Sequence, residues 1–111
     1  MFTFVEAPSF TDHLPDVLSD EEYRRFQGYL SSMPEAGDVI PGLRGLRKIR
    51  VAVKGRGKRG GARIIYLHLP KAGIIFLFAI YTKNDIADLS PEQKKRLLTA
   101  VDTIKKHYEK P

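Results

Sequence analysis

The stretch ARIIYLHLPKAGIIFLFAIY, residues Ala62–Tyr81, decides the fold. It contains two runs rich in apolar and β-branched residues, Ala62–Leu69 and Gly73–Tyr81, and the sequence Pro70-Lys71-Ala72-Gly73 lies between them. This pattern predicts two strands that are joined by a tight turn. The second run is apolar on both faces, which is typical of a central strand that is covered on both sides.

Two more strands are predicted upstream of this hairpin. Leu46–Val53 alternates apolar with basic residues, although imperfectly, which predicts a strand with one basic face. Phe2–Glu6 is aromatic and β-branched and is followed closely by Pro8, so it predicts a short first strand. Gly37–Gly45 between them predicts a connection, because the residue before a proline is driven to extended geometry.

Two helices begin with recognisable capping boxes. Ser19–Glu22 starts a helix that Pro34 ends, and Ser90–Gln93 starts the last helix. Phe10–Leu18 predicts a short helix or turn. Each long helix carries an apolar stripe at helical spacing, made of Tyr23, Phe26, Leu30 and Met33 in the first and of Leu97, Val101, Ile104 and Tyr108 in the second.

The order of these elements predicts the fold class. A strand, one or two helices, three consecutive strands and a helix indicate an α+β fold, with an antiparallel meander that carries its helices on one side. A chain of 111 residues fits a single domain, residues 1–111.

The positive charge is concentrated in one segment. The chain has 19 basic and 13 acidic residues and a net charge of +6. Nine of the basic residues and none of the acidic ones lie between positions 44 and 63, so the rest of the chain has a net charge of −3. Such segregation is typical of a surface that binds a polyanion, and a solvated run of charge is the simpler alternative. The nine are Arg44, Arg47, Lys48, Arg50, Lys54, Arg56, Lys58, Arg59 and Arg63.

Other kinds of site find little support. Gly55–Gly60 matches G-x-G-x-x-G, but it leads into a strand and not into the helix that a dinucleotide needs. The histidines His13, His68 and His107 fall on three different predicted elements, and the chain has no cysteine. No serine stands in a G-x-S-x-G turn. We therefore expect no metal and no small-molecule cofactor.

The glycine-rich basic segment is predicted to hold phosphate. Glycines let the backbone approach an anion closely, and arginine can hold two phosphate oxygens at once. For Gly55–Gly61 alone, a solvated hairpin tip is the alternative. Arg63 lies inside a strand, where a sheet would hold it rigidly, or where its charge would only discourage edge aggregation. If the last two strands are antiparallel neighbours, then Arg63, Tyr81 and Lys83 lie near one another.

This set of residues is compatible with RNA cleavage by the RNA's own 2′-hydroxyl. That reaction needs in-line geometry, cations for the charge on the phosphorane, and groups that move two protons. A lysine among other cations has a lowered pKa, so Lys83 or Lys54 is a candidate base. Tyr81 either takes part in the chemistry or packs in the core.

Two segments together resemble the RelE/ParE superfamily of type II toxins, most closely its HigB branch. They are GLRGLRKIRVAVKGRGKRGGARIIYLHL (42–69) and IIFLFAIYTKNDIADLSPEQKKRLL (74–98), within a resemblance over about Ser19–Leu98. It implies a small α+β fold with a twisted antiparallel sheet, N-terminal helices and a C-terminal helix. It also implies a metal-independent endoribonuclease, or mRNA interferase, that cleaves translated mRNA in the ribosomal A site and is inhibited by a cognate antitoxin.

By position, the resemblance implies roles for individual residues. Arg63 matches the family's strand arginine, which is thought to stabilise the transition state, and Tyr81 and Lys83 match its catalytic group after the last strand. RelE proper resembles a lysine–arginine pair followed by a tyrosine, whereas this chain has Asn84 and Ser90, so the general base stays open. The predicted RNA-binding residues are Arg47, Lys48, Arg50, Lys54, Arg56, Lys58 and Arg59.

We therefore expect a cytoplasmic toxin that inhibits translation, with a HigA-like antitoxin, the ribosome and mRNA as partners and no membrane contact. The N-terminus lacks the basic region of a signal peptide, and the longest apolar run is about half as long as a membrane-spanning helix. Two alternatives stay open. One is a non-catalytic nucleic-acid-binding module that uses the same basic patch, and the other is a toxin of the same fold that acts on a protein such as gyrase.

Overall fold

The computed structural model describes residues 2–53, 61–82 and 90–109. The predicted α+β fold is confirmed, the segment around Phe10 is a helix, and a short strand within 37–45 was not predicted. In chain order the elements are β1 (Thr3–Glu6), α1 (Pro8–Val17), α2 (Asp20–Ser32), β2 (Asp38–Val39), β3 (Arg47–Val51), β4 (Ala62–Leu69), β5 (Ile74–Thr82) and α3 (Pro91–Tyr108).

The five strands form one sheet in the order β1-β5-β4-β3-β2. β3, β4 and β5 form the predicted antiparallel meander. β1, however, pairs with β5 in the parallel direction, so the sheet is mixed and not antiparallel throughout. A parallel pair needs a long crossover, and the helices and strands between β1 and β5 supply it. As predicted, β5 is a central strand, with β1 on one side and β4 on the other.

Helices cover both faces of the sheet, and the prediction that they lie on one side is wrong. Phe10 of α1 and Leu30 of α2 are fully buried in a cluster with one face of the sheet. Val101 of α3 is fully buried in a second cluster, which contains Ile65 and Leu67 from the opposite face. Because β4 and β5 are apolar on both faces, each face needs its own cover.

Both predicted capping boxes are present. At the start of α2, Ser19 Oγ accepts from the backbone N–H of Glu22 at 3.1 Å, and Glu22 Oε1 accepts from the N–H of Ser19 at 2.8 Å. Ser90 and Gln93 make the same two bonds at the start of α3, at 3.1 and 2.8 Å. Each box satisfies two backbone donors that a helix end leaves open, and so it fixes where the helix begins.

The pairing of β4 with β5 contains a bulge. Ile65 lies opposite Ala79, but the next residue, Tyr66, lies opposite Leu77, so Phe78 is an extra residue in β5. A bulge of this kind places two residues of one strand against one residue of its partner.

The bulge reverses the inward–outward alternation of β5. Before it, Ile75 and Leu77 pack with α1 and α2, whereas after it Ile80 packs on that side and Tyr81 packs with α3. If the same residues formed a regular strand without a bulge, strict alternation would put Tyr81 on the α1 and α2 side, together with Leu77. The bulge therefore determines that Tyr81 lies on the α3 face of the sheet.

The connection between α2 and β2 is fastened to the sheet by Tyr66. Its buried hydroxyl donates to the carbonyl of Pro34 at 2.8 Å and accepts from the N–H of Gly37 at 2.9 Å. A Cβ atom at Gly37 would lie 2.8 Å from Tyr66 Cε1, so only glycine fits there. Arg47 Nη1 adds bonds to the carbonyls of Glu35 at 3.1 Å and Gly37 at 2.8 Å.

In the described parts of the chain, no helix is both long and apolar enough to cross a membrane.

Candidate nucleic-acid interface

Two arginines and a tyrosine stand side by side on one face of the sheet. Arg50 of β3 lies directly opposite Arg63 of β4, and Arg63 lies directly opposite Tyr81 of β5. Directly opposed residues share a face, with their Cβ atoms about 4.5–5.5 Å apart. The predicted proximity of Arg63 and Tyr81 is confirmed, and Arg50 extends the pair to a row across three strands. We call these residues the Arg50–Arg63–Tyr81 row.

The row lies at one end of the sheet. Its members are each one residue from a strand terminus, since β3 ends at Val51, β4 begins at Ala62 and β5 ends at Thr82. In the sequence, residues 54–60 connect β3 with β4, and residues 83–89 lead from β5 to α3. The predicted site residues in these two segments lie outside the described residues; they are Lys54, Arg56, Lys58, Arg59 and Lys83.

The two arginines of the row are neighbours on one face, and no acid in the described part of the chain neutralises them. Arg50 is exposed and Arg63 is partly buried. Within residues 2–53, 61–82 and 90–109, the ion pairs are Arg25–Glu21 and Arg44–Asp102, and neither includes a member of the row. Like charges directly opposite each other on a sheet are destabilising. An anion bound between the two guanidinium groups would remove that repulsion, and phosphate is an anion that a guanidinium group binds with two hydrogen bonds.

Tyr81 presents a neutral phenol to this pair. Its side chain is only 8% exposed, in the cluster that packs under α3. Burial raises the pKa of Tyr81 above its usual value, and the positive charge of Arg63 opposes this only in part. The hydroxyl is therefore protonated at neutral pH, so that it can donate a hydrogen bond but is a poor base.

Two further residues that were predicted to bind RNA occupy different faces. Lys48 is exposed and lies opposite Ile65, on the same face as the row. Arg47 lies opposite Tyr66 on the other face, and its guanidinium binds the carbonyls of Glu35 and Gly37. Arg47 therefore fastens a connection and does not join the row.

A polar clamp holds α3 to the chain just before β3. Arg44 Nη1 contacts both carboxylate oxygens of Asp102, at 2.6 and 2.8 Å, and Lys105 Nζ donates to the carbonyl of Arg44 at 2.9 Å. Arg44 adopts a positive φ of 53°, which is unusual for a residue with a side chain. The clamp fixes the C-terminal half of α3 near the start of β3, at the opposite end of the strand from Arg50.

His68 lies on the α1 and α2 face of the sheet, on the other side from the row. The Nε2 atom of His68 is buried and has no hydrogen-bond partner in the described structure, and the ring packs edge-on against Phe2 at 5.1 Å. Burial lowers the pKa of His68, with Glu35 opposing this effect and Arg47 adding to it. Among the residues that the structure describes, no group of three or more histidine, aspartate or glutamate side chains is arranged to hold a metal ion.

Sequence reasoning missed how the row is assembled. Arg50 was predicted to bind RNA but was not paired with Arg63, and the bulge at Phe78 was not foreseen. Strict alternation supplies part of the missing signal, because Arg47 shares its parity with the buried Ile49 whereas Arg50 does not. The bulge has no such signal, since the run around it is apolar on both faces.

Comparison with protein families identifies the part of the chain that carries the row. Residues 42–110 match the family model described as the RelE toxin of the RelE/RelB toxin–antitoxin system. The match covers more than half of the chain, and it includes β3, β4, β5, α3 and the whole Arg50–Arg63–Tyr81 row.

Proposed function

The chain belongs to the RelE toxin family, whose members are the toxins of toxin–antitoxin systems, and we propose that it is a ribosome-dependent endoribonuclease of the HigB branch. Its reaction would be the cleavage of translated mRNA in the ribosomal A site by the RNA's own 2′-hydroxyl, without a metal. The observation that carries the proposal is the Arg50–Arg63–Tyr81 row, a pair of arginines that no acid of the described residues neutralises, next to a neutral phenol.

In this mechanism the row stabilises charge and does not move the first proton. The 2′-oxygen attacks the neighbouring phosphorus, the phosphorane gains negative charge, and the 5′-oxygen leaves with a proton. Arg63 is paired on both sides within β4, which fixes the position from which its guanidinium would reach the non-bridging oxygens. Arg50 is exposed beside it and would bind the same phosphate or its neighbour.

The two proton transfers need different groups. The phenol of Tyr81, which burial keeps protonated, is suited to donate a hydrogen bond to the phosphorane and not to accept the 2′-hydroxyl proton. We retain Lys83 or Lys54 as the proposed base. In the sequence, Lys83 follows directly on the end of β5, and Lys54 comes three residues after the end of β3.

The antitoxin would act by competition. We propose a HigA-like partner that places an acidic segment over the row, because carboxylates satisfy the paired guanidinium groups as phosphate does. Occupied by the antitoxin, Arg50 and Arg63 would be unavailable to RNA. Cytoplasmic location, with mRNA and the ribosome as targets, belongs to the same proposal.

The test is to express the wild-type protein from a tightly repressed promoter and map the 5′ ends of cellular mRNA, beside Arg63→Ala. Cuts in translated codons are expected from the wild type, and the variant should lose about 10²–10³-fold in cleavage rate in a purified translation system, the usual loss for one preorganised charge-stabilising donor. Ribosome binding by the variant should be nearly intact.

The matched control is Arg24→Ala, which removes an exposed arginine from α2 that does not line the cleft shared by Arg25 and Arg50. Growth arrest with intact mRNA would contradict the nuclease and favour a protein target. A folded protein with no effect on growth or mRNA would favour a non-catalytic binding module. Equal, graded losses from every basic substitution would also favour plain binding.

A further inference from the structure

A second cationic position lies outside the charged segment 44–63. Lys94 is in the second turn of α3 and is exposed. Across the described ranges it has no ion-pair or side-chain hydrogen-bond partner, in contrast to Lys105 on the same helix, which donates to the carbonyl of Arg44. The sequence predicts the lysines of α3 on the solvent side, away from the apolar stripe.

Helical spacing puts Lys94 on the stripe that faces the sheet. It precedes Leu98 by four residues and Val101 by seven, and residues so spaced lie above one another on one helix face. Val101 is fully buried against the sheet and Leu98 is partly buried in the same cluster. Lys94 therefore continues the sheet-facing stripe toward the start of the helix, where the side chain reaches solvent.

The direction of α3 brings this end of the stripe toward the row. Lys105 is fixed at the carbonyl of Arg44, before the start of β3, and α3 rises by about 1.5 Å per residue. Lys94 is therefore roughly 16 Å from Lys105 along the helix axis. Leu97, one turn beyond Lys94, joins the cluster that contains Tyr81.

From this arrangement we propose that Lys94 is a second phosphate-binding residue, which holds the RNA backbone beside the phosphate bound by Arg50 and Arg63. The nature of the ligand rests on the proposed function. The row and Lys94 then contact two phosphates from two different elements, the sheet and the helix. Two separated phosphate contacts fix the direction in which the RNA strand crosses the site, whereas one contact fixes the position of a single phosphate only.

The experiment measures the binding of a short fluorescent single-stranded RNA by anisotropy, and of purified ribosomes in parallel, between about 50 and 200 mM salt. Lys94→Gln should weaken binding several-fold and lower the slope of log affinity against log salt by about 0.7, the value for one lost contact to a single strand. Lys94→Arg should restore both quantities, because it restores the charge.

Two matched controls carry the same change in charge on the same helix. Arg96→Gln lies in the same turn but about 160° around the helix from Lys94, and Lys106→Gln is exposed near the other end. Each should lower the slope by less than half as much. Equal losses from Lys94→Gln and the controls would overturn the proposal, because they would indicate a general effect of charge.

The outcome is separable from that of the proposed function. A Lys94→Gln variant that binds RNA like the wild type overturns this inference even where Arg63→Ala abolishes cleavage. A wild-type protein that cuts no mRNA overturns the nuclease, and a Lys94-dependent salt slope would still establish the phosphate contact. Loss of antitoxin affinity with unchanged RNA binding would show that Lys94 serves the antitoxin instead, and would overturn the inference.

Discussion

The two faces of the sheet differ in the surroundings that they give to arginine and tyrosine side chains. On the α1 and α2 face, Arg47 and Tyr66 are bound to backbone groups of the connection after α2. On the α3 face, Arg50 and Arg63 oppose each other with no acid among the described residues to neutralise them. The strands are shared, so alternation alone separates polar groups that stabilise the fold from cations that are available to a ligand.

Substitutions that alter one face at a time distinguish the two roles. Changes on the α1 and α2 face should alter stability and leave RNA binding of the folded protein alone. Changes in the row should do the reverse, since proteins commonly retain destabilising groups where a ligand needs them.

The largest effect on stability is expected for Tyr66→Phe. Loss of the hydroxyl leaves the N–H of Gly37 and the carbonyl of Pro34 without their partner, which costs about 1–3 kcal/mol when the group is buried. Urea unfolding measures the change. Tyr29→Phe is the control, because that side chain is 52% exposed, and it should leave the free energy of unfolding nearly unchanged.

Arg47→Ala should lower the free energy of unfolding by about 1 kcal/mol, because two carbonyls lose a charge-assisted donor. Its effect on RNA affinity should be much smaller than that of Arg50→Ala. Anisotropy titrations of both variants at one salt concentration decide the matter. Equal loss of affinity from the two would place Arg47 among the RNA-binding residues after all.

Arg50→Thr should stabilise the fold, by about 0.2–1 kcal/mol, since it removes a like-charge pair and puts a residue with good strand propensity in its place. RNA binding should weaken at the same time. Thermal unfolding at low and high salt measures the first effect, and the gain should shrink as salt screens the repulsion. A loss of stability at low salt would mean that Arg50 and Arg63 do not repel each other.

The free energy of unfolding should fall as the pH is lowered through about 6.5, the usual pKa of histidine. Burial lowers the pKa of His68 in the folded state, so below that pH the unfolded state binds more protons and gains stability. His68→Leu should flatten this dependence, whereas His107→Gln, which alters an exposed histidine, should retain it. Urea unfolding at a series of pH values would reveal the slope, and an unchanged slope in His68→Leu would assign it to another group.

The smallest effect is an expected absence of change. Because burial raises the pKa of Tyr81, its ionisation should not shape the pH–rate profile of RNA cleavage near neutrality. Tyr81→Phe should therefore lower the rate without moving the pH at which it rises. A displaced profile would identify Tyr81 as the base, contrary to our mechanism.

Much of the fold could be predicted because its signals are local. The hairpin of β4 and β5 follows from two apolar runs and a turn, and both long helices begin at capping boxes whose bonds involve neighbouring residues only. The parallel pairing of β1 and the placement of α3 on its own face depend on contacts between distant segments. Periodicity within one element does not report such contacts.

The candidate site, like the fold, could be predicted from local signals but not in its details. The antiparallel hairpin alone brings Arg63 and Tyr81 together in outline, but the bulge at Phe78 decides that they share a face. Arg47 and Arg50 look alike in a basic segment, and alternation along β3 puts Arg47 on the face of the buried Ile49 and Arg50 on the other. The charge pattern in the sequence identified the basic surface, and the alternation along the strands determined which of its residues join the row.

The bulge also shifts the inward–outward alternation of β5 by one residue. Residues before Phe78 are read in one phase and serve the core under α1 and α2, and residues after Ala79 are read in the other. A saturation scan of β5 should therefore show a tolerance to polar residues that alternates along the strand, and this alternation should be interrupted at Phe78 and Ala79. Removal of Phe78 would give β5 a single alternation throughout, with Ile80 still on the α1 and α2 face and Tyr81 still on the α3 face.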